Sequence, residues 1–233
     1  MRSAGRATMT AMSDAAERRA ELERRAAEWR GCQKCALAAG RTQVVVGAGN
    51  PDAGLMFVGE APGFHEDRQG IPFVGQAGKL LESLLGEIGL SRDRVYIANV
   101  LKCRPPGNRD PQPDEIDACE EHLFAQVELI QPRVICTLGN FATKLLSGQP
   151  YGITRVHGKP QPHRIGSVEL VLYPIFHPAA ALYTPSMLDT LRADFAQLPE
   201  LLAERPAVPE PVPVMDVPAV PEREPEYAQL GLF

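Results

Sequence analysis

The stretch GLMFVGEAPGFHEDRQGIPFVGQAGKLLESLLGEIGL, residues 54–90, decides the fold class. Its opening GLMFVG is apolar and ends at Gly59, a pattern typical of a short buried strand. A glycine- and proline-rich loop follows. The closing AGKLLESLLGEIGL then places apolar side chains at helical spacing. A strand, a loop and an amphipathic helix in this order form the repeating unit of an α/β fold.

The same alternation continues towards the C-terminus. Three more apolar runs are predicted to be strands, at residues 94–103, 133–139 and 168–177. Helical patterns lie between and after them, at residues 113–130, in a short segment from residue 140, and at residues 186–204. We therefore predict an α/β fold with three α/β/α layers and a central, mostly parallel four-stranded sheet.

The composition divides the chain into four parts, of which residues 31–204 are the predicted folded domain. Residues 1–30 alternate Arg and Glu among many Ala, which predicts an exposed, charged helix. Seven prolines fall within residues 205–228, which predicts an extended, disordered linker. Residues 229–233, QLGLF, are apolar again, where a disordered tail should be polar.

Composition and charge exclude several classes of protein. No apolar run is long enough to span a membrane, and residues 1–30 lack the apolar segment of a secretory signal. The formal net charge of -5 is unusual for a protein that binds nucleic acid. Residues 129–168, however, contain five Lys or Arg and no Asp or Glu, which predicts a local positive surface. Chance clustering of charges on a solvated surface is the alternative.

The five cysteines, in a chain without a visible export signal, indicate a reducing compartment rather than a disulfide framework. Cys32 and Cys35 have the spacing of metal ligands. Cys103 and Cys119 follow more loosely, and Cys119 lies on the apolar face of its predicted helix, where a core role is the alternative. The residues alone leave zinc and an iron–sulfur cluster both open. Cys136 lies within a predicted strand and is interpreted as a buried core thiol.

Polar side chains follow all four predicted strands, and the carboxyl ends of parallel strands meet at one edge of a sheet. We expect the following residues to converge there: Glu60, Glu66, Phe73, Asn99, Asn140 and His177. Each alone has a simpler explanation as a turn, cap or core residue. The loop at residues 59–78 lacks the sequence of a P-loop or a dinucleotide fingerprint, but its glycines let the backbone approach a flat ligand.

Three motifs and four cysteines together resemble the family-4 uracil-DNA glycosylases. The motifs are GEAPGFHEDRQGIPFVGQAG (59–78), NVLKCRPPGNRDP (99–111) and HPAAAL (177–182). The resemblance covers about residues 30–204. It implies a uracil-DNA glycosylase-like fold and a DNA repair enzyme that flips uracil out of DNA and hydrolyses its N-glycosidic bond, which starts base excision repair.

The resemblance also implies roles for individual residues. Phe73 would stack on the flipped uracil and Asn99 would read the polar edge of the base. His177 would hydrogen-bond the uracil oxygen that gains charge. Glu60 and Ala61 would line the pocket. A [4Fe-4S] cluster would be held by Cys32, Cys35, Cys103 and Cys119.

The group that acts on the sugar is less clearly indicated. Ala61 stands where the best-known family of these enzymes has an Asp, so Glu66 is the candidate to orient water or stabilise the sugar cation. A subgroup that bonds covalently to its DNA product has a His in an insert after the second strand. Here that loop, RPPGNRDPQP (104–113), contains no His, and we expect turnover instead of trapping.

The C-terminal QLGLF resembles the short peptide by which bacterial repair and replication proteins bind the β sliding clamp. Gln229 would anchor through its amide, while Leu230, Leu232 and Phe233 would fill an apolar pocket. An apolar chain end without a partner is the alternative. We expect a monomer that acts on uracil-containing DNA in the bacterial cytoplasm and nucleoid, with no role for a membrane.

Two other functions remain alternatives on the sequence alone. The first is a non-catalytic iron–sulfur adaptor that binds DNA and keeps the same fold. The second is zinc-based phosphoester chemistry, which is disfavoured because no set of carboxylates and histidines accompanies the cysteines.

Overall fold

The structure, a computed structural model, describes residues 15–203. Within that range the strands are β1 (Ala48–Gly49), β2 (Leu55–Gly59), β3 (Tyr96–Asn99), β4 (Val134–Leu138), β5 (Gln161–Ile165) and β6 (Val168–Ile175). The α-helices of the same range are α1 (Ala15–Trp29), α2 (Phe64–Gln69), α3 (Gln76–Glu87), α4 (Pro113–Ile130), α5 (Asn140–Ser147), α6 (Ile153–Val156), α7 (Pro178–Tyr183), α8 (Ser186–Ala196) and α9 (Leu198–Ala203). No helix in this part of the chain is both long and apolar enough to cross a bilayer.

The strands form one sheet in the order β1-β3-β2-β4-β6-β5. Strands β3, β2, β4 and β6 are parallel, as predicted, and their carboxyl ends lie at one edge. The expected count of four strands was wrong, because β1 and β5 add antiparallel edges. Strand β1 is two residues long, and β5 reads QPHRI without an apolar run, so neither shows a strand pattern in the sequence.

Helices cover both faces of the sheet, which confirms the three layers. Successive side chains of β2 point to opposite faces. Met56 and Val58 pack in one core cluster with residues of α1, α4 and α5. Leu55 and Phe57 pack in the other with residues of α3, α8 and α9. The parallel strands are therefore buried on both sides, which explains why they read as continuous apolar runs.

The N-terminal helix carries the expected intrahelical ion pairs, which join Arg24 to Glu21 and Glu28. The helix is not simply exposed, however, because Leu22 and Trp29 are buried against the domain. The Trp29 ring lies 4.9 Å from the ring of His122 on α4. Helix α1 therefore packs onto the body of the protein, where Ala26 also contacts the core and Arg19 pairs with Asp52. The charged sequence hides this because Leu22 and Trp29 are the only large apolar residues of the helix.

The predicted C-terminal helix at residues 186–204 is two helices, with a break at Gln197. Pro199 explains the break, because proline lacks the backbone N–H that would bond to the preceding turn and its ring clashes with the carbonyl there. Helix α4 has the predicted bounds, and a capping box between Gln112 and Glu115 fixes its start.

Candidate functional site

A cleft of about 610 Å³ opens where β2, β3 and β6 end. It is lined by all the residues predicted to bind or act on the base: Glu60, Ala61, Glu66, Phe73, Asn99 and His177. Asn140 does not line it. Its Oδ1 accepts a hydrogen bond from the Ile153 backbone N–H at 2.8 Å and holds the loop before α6. The strand ends thus bring together residues that lie far apart in the sequence.

Gly59, the last residue of β2, pairs with Asn99 across the sheet and lies against Asn99 and Phe73, two residues that line the cleft. A Cβ atom on Gly59 would lie 2.5 Å from Asn99 Oδ1 and 2.7 Å from Phe73 Cζ. The amide and the aromatic ring therefore meet directly above this residue. Only glycine leaves them room, since real Cβ atoms do not approach other heavy atoms so closely.

The side-chain oxygen of Asn99 is an acceptor without a donor. Asn99 is only 2% exposed, and its Oδ1 has no hydrogen-bond partner among the described residues. A buried polar atom left unsatisfied costs about 1–3 kcal/mol. A ligand that brings an N–H group to this point in the cleft would remove that cost.

Phe73 is held in a strained conformation. Its φ of 55° lies in the left-handed region, which non-glycine residues rarely adopt. Arg92 donates hydrogen bonds to the carbonyls of Phe73 and Pro72, at 2.8 and 2.7 Å. On the other side, the first turn of α3 packs so closely on the Phe73 carbonyl that Gly78 has no room for a Cβ. These contacts fix the ring in the cleft, with its centroid 5.6 Å from the ring of His177.

His177 is a neutral hydrogen-bond donor by its position. Its Nδ1 accepts the Ala179 backbone N–H at 3.1 Å, at the start of α7, so the ring proton belongs on Nε2. Burial lowers the pKa of His177 to about 4, although the nearby Glu66 carboxylate acts in the opposite direction. The imidazole is therefore uncharged at neutral pH, with its remaining N–H available in the cleft.

Glu66 lies in α2, and its carboxylate contacts the loop that follows this helix and carries Phe73. Its Oε1 accepts the backbone N–H groups of Val74 and Gly75, both at 2.9 Å. These bonds cap the start of α3 and use one carboxylate oxygen. The other oxygen, Oε2, lies beside Gly63, where a Cβ would be 2.8 Å away.

Glu60 follows β2 directly and is half-buried in the same cleft. Its backbone carbonyl accepts the Leu101 N–H at 2.9 Å, which continues the pairing of β2 with the chain after β3. Desolvation, together with the negative charge of Asp110, raises the pKa of the Glu60 carboxyl. Ala61 comes next and contributes no charged group to the cleft.

Sequence reasoning missed an aromatic–arginine stack on the rim. Phe64 lines the cleft and is exposed, and the guanidinium groups of Arg68 and Arg104 lie 5.6 and 5.2 Å from the centre of its ring. Arg104 comes from the loop after β3, so only the tertiary fold joins it to Phe64. Tyr183 at the end of α7 also lines the cleft and is 87% exposed.

A second stack lies in the acid-free stretch. The Arg155 guanidinium lies 4.3 Å from the centre of the Tyr151 ring, and both residues line a cavity of about 320 Å³ together with Lys159. No acidic residue lines this cavity. Among residues 15–203, no carboxylate forms an ion pair with Arg155 or Lys159. We name Tyr151, Arg155 and Lys159 the basic flank.

The basic flank lies on the His177 side of the cleft. The hydrogen bond from Ile153 to Asn140 brings the loop at residues 148–153 to the start of α5. Gly139, immediately before Asn140, packs against His177, where a Cβ would lie 3.3 Å from that of the histidine. Arg155 and Lys159 of the acid-free stretch therefore lie towards the cleft. The predicted positive surface is not continuous, because Arg133 lies beside Gly54 at the opposite end of the sheet and Arg164 pairs with Glu169.

The four cysteines predicted as ligands line one cavity: Cys32, Cys35, Cys103 and Cys119. Arg41 Nη1 lies 3.6 Å from Cys103 Sγ, and the Lys102 backbone N–H donates to Cys119 Sγ at 3.2 Å. Burial raises the pKa of the Cys103 thiol to about 11. Cys136 lies elsewhere, buried within β4.

This cavity is not arranged around a single point. Within residues 15–203, no group of three or more His, Cys, Asp or Glu side chains is placed so that it could hold one metal ion. Four sulfur atoms nevertheless face the same space, with two N–H donors directed at them.

Comparisons with known proteins identify the family. The model of the uracil DNA glycosylase superfamily matches residues 46–202. A type-4 uracil-DNA glycosylase from Sulfurisphaera tokodaii is 49% identical over 175 residues, which are 73% of this chain and 80% of that protein. The corresponding protein of Saccharolobus solfataricus is 47% identical over 184 residues, 77% and 85% of the two chains. That of Thermotoga maritima is 49% identical over 152 residues, 65% and 78%.

Proposed function

The chain belongs to the uracil-DNA glycosylase superfamily, among its type-4 members, and from this membership we propose how its cleft recognises and releases uracil. The protein is a glycosylase of DNA repair that hydrolyses the bond between uracil and deoxyribose. The observation that carries the proposed roles is the meeting of the Asn99 amide and the Phe73 ring above Gly59, with the His177 ring 5.6 Å from that of Phe73.

Phe73 and Asn99 bind the extruded base. Flipping a base out of a duplex costs a few kcal/mol, and stacking on an aromatic ring returns about 1–3 kcal/mol. Uracil carries an N3–H, which the unsatisfied Asn99 Oδ1 accepts. Cytosine has no hydrogen on N3 and would leave this buried oxygen unpaired. The amide thereby selects uracil over cytosine.

His177 stabilises the departing base. When the bond between the sugar and uracil breaks, the electron pair stays with uracil and negative charge grows on its carbonyl oxygens. A donor already in place for such an oxygen is the largest single term in many enzymes. The Nε2–H of His177 fills this role as a neutral group, and its Nδ1 bond to Ala179 keeps the ring oriented.

The carboxylates act on the sugar half of the reaction. Glu66 Oε2 is assigned to orient water or to stabilise the sugar cation, since Oε1 is occupied by the loop amides. Glu60 and Ala61 line the pocket, Glu60 with its side chain and Ala61 with its backbone. The loop at residues 104–113 has no His that could attack the sugar, so the abasic product is released.

The DNA strand on either side of the flipped nucleotide runs over the two aromatic–arginine stacks. Phe64 with Arg68 and Arg104 lies at the rim of the cleft, and the basic flank lies beyond His177. Guanidinium groups bind phosphates, and exposed rings stack on bases without sequence preference. The acidic net charge of the chain is compatible with this path because the flank itself holds no carboxylate.

The four cysteines are proposed to hold a [4Fe-4S] cluster. An all-sulfur donor set with nearby N–H donors suits such a cluster. In a cluster each cysteine binds its own iron, so the sulfurs need not converge as they do around zinc, which agrees with the absence of a single-ion geometry in the described range. The cluster would brace the loops around the cleft. Iron and acid-labile sulfide in the purified protein test this, and a zinc-loaded, colourless protein would contradict it.

The activity and the roles of the cleft residues are tested with an oligonucleotide that contains one uracil. Glycosylase treatment followed by alkali cleaves the strand at the abasic site. Asn99→Ala and His177→Ala should each slow the reaction about 100- to 1000-fold, the usual effect of losing one transition-state donor. Retention of full activity by either variant would remove that residue from the proposed site.

The C-terminal peptide Gln229–Phe233, with Leu230 and Leu232, lies outside the described residues. We propose that it tethers the enzyme to a bacterial sliding clamp and raises the local concentration of the enzyme at DNA. Deletion of residues 229–233 should abolish binding to the purified clamp and leave activity on short oligonucleotides unchanged. Clamp binding by the deletion variant would contradict the proposal. We also propose that the protein is a monomer and acts in the bacterial cytoplasm.

A further inference from the structure

A buried lysine lies between the cleft and the cysteine cavity. Lys102 is 1% exposed, although lysine is one of the residues least often buried. Its Nζ donates to the backbone carbonyl of Asn99 at 2.8 Å and to Gln126 Oε1 at 2.6 Å. Its own backbone N–H donates to Cys119 Sγ at 3.2 Å. One residue therefore contacts both the proposed base-reading residue and a proposed cluster ligand.

The second partner of the lysine is itself firmly held. Gln126 on α4 is fully buried, and its Nε2 donates to the Val46 carbonyl at 2.8 Å and contacts the Tyr96 hydroxyl at 3.2 Å. The Gln126 amide is thus fixed from three sides. Lys102 Nζ is in turn held at a defined point behind β3.

Asn99 depends on such support because its side-chain oxygen has none. Oδ1 has no hydrogen-bond partner within the described part of the chain, so the position of the amide follows from its backbone. The chain after β3 stays paired with the end of β2, since the Val100 and Leu101 N–H groups donate to the carbonyls of Gly59 and Glu60. The Asn99 carbonyl points instead to Lys102 Nζ.

We propose that Lys102 is a positioning residue that couples the cysteine cavity to Asn99. The proposal rests on the proposed function in one respect, the assignment of Asn99 to the base. Through Nζ the lysine holds the Asn99 backbone, and through its N–H it is attached to Cys119. Anything that shifts the cysteine loop therefore shifts the amide that reads uracil.

The test is a double-mutant cycle between Lys102→Met and Asn99→Ala, measured by single-turnover release of uracil. Methionine keeps much of the length of the lysine side chain and removes the Nζ donor. Alone, Lys102→Met should slow release about 10- to 100-fold, because a small misplacement of a substrate-contacting group has effects of this size. In the Asn99→Ala background the same change should have an effect of no more than about twofold, since the coupled side chain is gone.

Iron content and the release rates of the control variants separate the possible outcomes. Iron content should equal that of the wild type, because the Lys102 backbone N–H remains for Cys119. Lys79→Met, an exposed lysine on α3, should leave the rate unchanged. An equal loss in both backgrounds would show a general structural role and overturn the proposal. A normal rate for Asn99→Ala alone would refute the proposed role of Asn99 instead.

A second variant covers the case in which Lys102→Met does not fold. Gln126→Met removes the acceptor that holds Nζ in place and leaves Lys102 itself intact. The same cycle with Asn99→Ala should again show a loss of release rate that disappears when Asn99 is absent. A loss that persists unchanged would contradict the coupling.

Discussion

At the scale of single residues, the cleft depends on a glycine without a side chain and on an amide oxygen without a hydrogen-bond donor. Gly59 leaves out a Cβ where Asn99 and Phe73 meet, and Asn99 Oδ1 has no partner in the described protein. Phe73 accepts an unfavourable backbone conformation, which two hydrogen bonds from Arg92 hold in place. Strain and unsatisfied groups of this kind persist only where the surrounding structure imposes them, and they are concentrated at functional sites.

Replacing Gly59 with alanine tests how closely Asn99 and Phe73 pack against this residue. The new Cβ would lie 2.5 Å from Asn99 Oδ1 and 2.7 Å from the Phe73 ring, so both must move. Uracil release should fall about 100-fold or more. Gly86→Ala on α3 is the matched control, because its Cβ would meet nothing within 4 Å. The control should retain full activity and gain about 0.5–1 kcal/mol of stability. Equal activity of the two variants would show that position 59 tolerates a Cβ and does not need glycine.

Protonation of His177 predicts a pH dependence of stability. Burial lowers its pKa in the folded protein to about 4 from the ordinary histidine value of 6.5, so between these values the unfolded chain holds a proton that the folded chain does not. The contribution of His177 to stability is therefore present above pH 6.5 and is lost as the pH falls towards 4. Thermal unfolding should show a smaller acid-induced loss of Tm for His177→Gln than for the wild type. Parallel losses would refute the depressed pKa.

At the scale of elements, α2, the loop after it and the start of α3 act as one unit. Glu66 on α2 bonds to the amides of Val74 and Gly75, which flank Phe73 on the C-terminal side. A carboxylate near a helix N-terminus is favourable, and here it also sets the loop. Glu66 therefore has a structural role in addition to its proposed role on the sugar cation.

The two roles of Glu66 separate by substitution. Glu66→Gln keeps an oxygen that accepts both amide bonds but removes the negative charge, whereas Glu66→Ala removes both. We expect the Gln variant to lose no more than about 0.3–1 kcal/mol of stability, the effect of the charge near the start of α3, and to lose about 100-fold in release rate. The Ala variant should in addition lose about 1 kcal/mol of stability, because two half-buried donors lose their acceptor. Full activity of Glu66→Gln would leave the residue with the structural role alone.

At the scale of the whole molecule, the separation of charge resolves the conflict between an acidic chain and a DNA substrate. The net charge is -5, yet the cleft is bordered by two aromatic–arginine stacks. Many of the other arginines pair with carboxylates, as Arg192 does with Glu87 at 3.1 Å. The local electrostatic potential beside the cleft is therefore a better guide to DNA binding than the net charge of the chain.

Salt dependence tests the basic flank. Each phosphate contact that is lost should reduce the slope of log K against log salt by about one. Arg155→Gln combined with Lys159→Gln should weaken DNA binding and lower the slope by about one to two, with little change in the single-turnover rate at saturating enzyme. Arg192→Gln, from the ion pair on α8, should leave the slope as in the wild type. An unchanged slope in the double variant would show that the DNA phosphates do not contact Arg155 and Lys159.

The sequence alone was sufficient for the α/β class, the four parallel strands and the bounds of α4. Buried parallel strands and amphipathic helices carry their periodicity in the order of their residues, so a local pattern is enough. The motifs also named the cleft residues from Glu60 to His177. The edge strands β1 and β5 were not predicted, because solvent-exposed edge strands need no apolar pattern.

Only the tertiary structure decided which of these residues touch. The left-handed Phe73, the single tautomer of His177, the structural use of Glu66 and the link from Lys102 to both Asn99 and Cys119 all depend on segments that are distant in the chain. The physical reason is that a hydrogen bond or a pKa depends on distances and burial in space, and residue order determines these only after the strands have been brought into register.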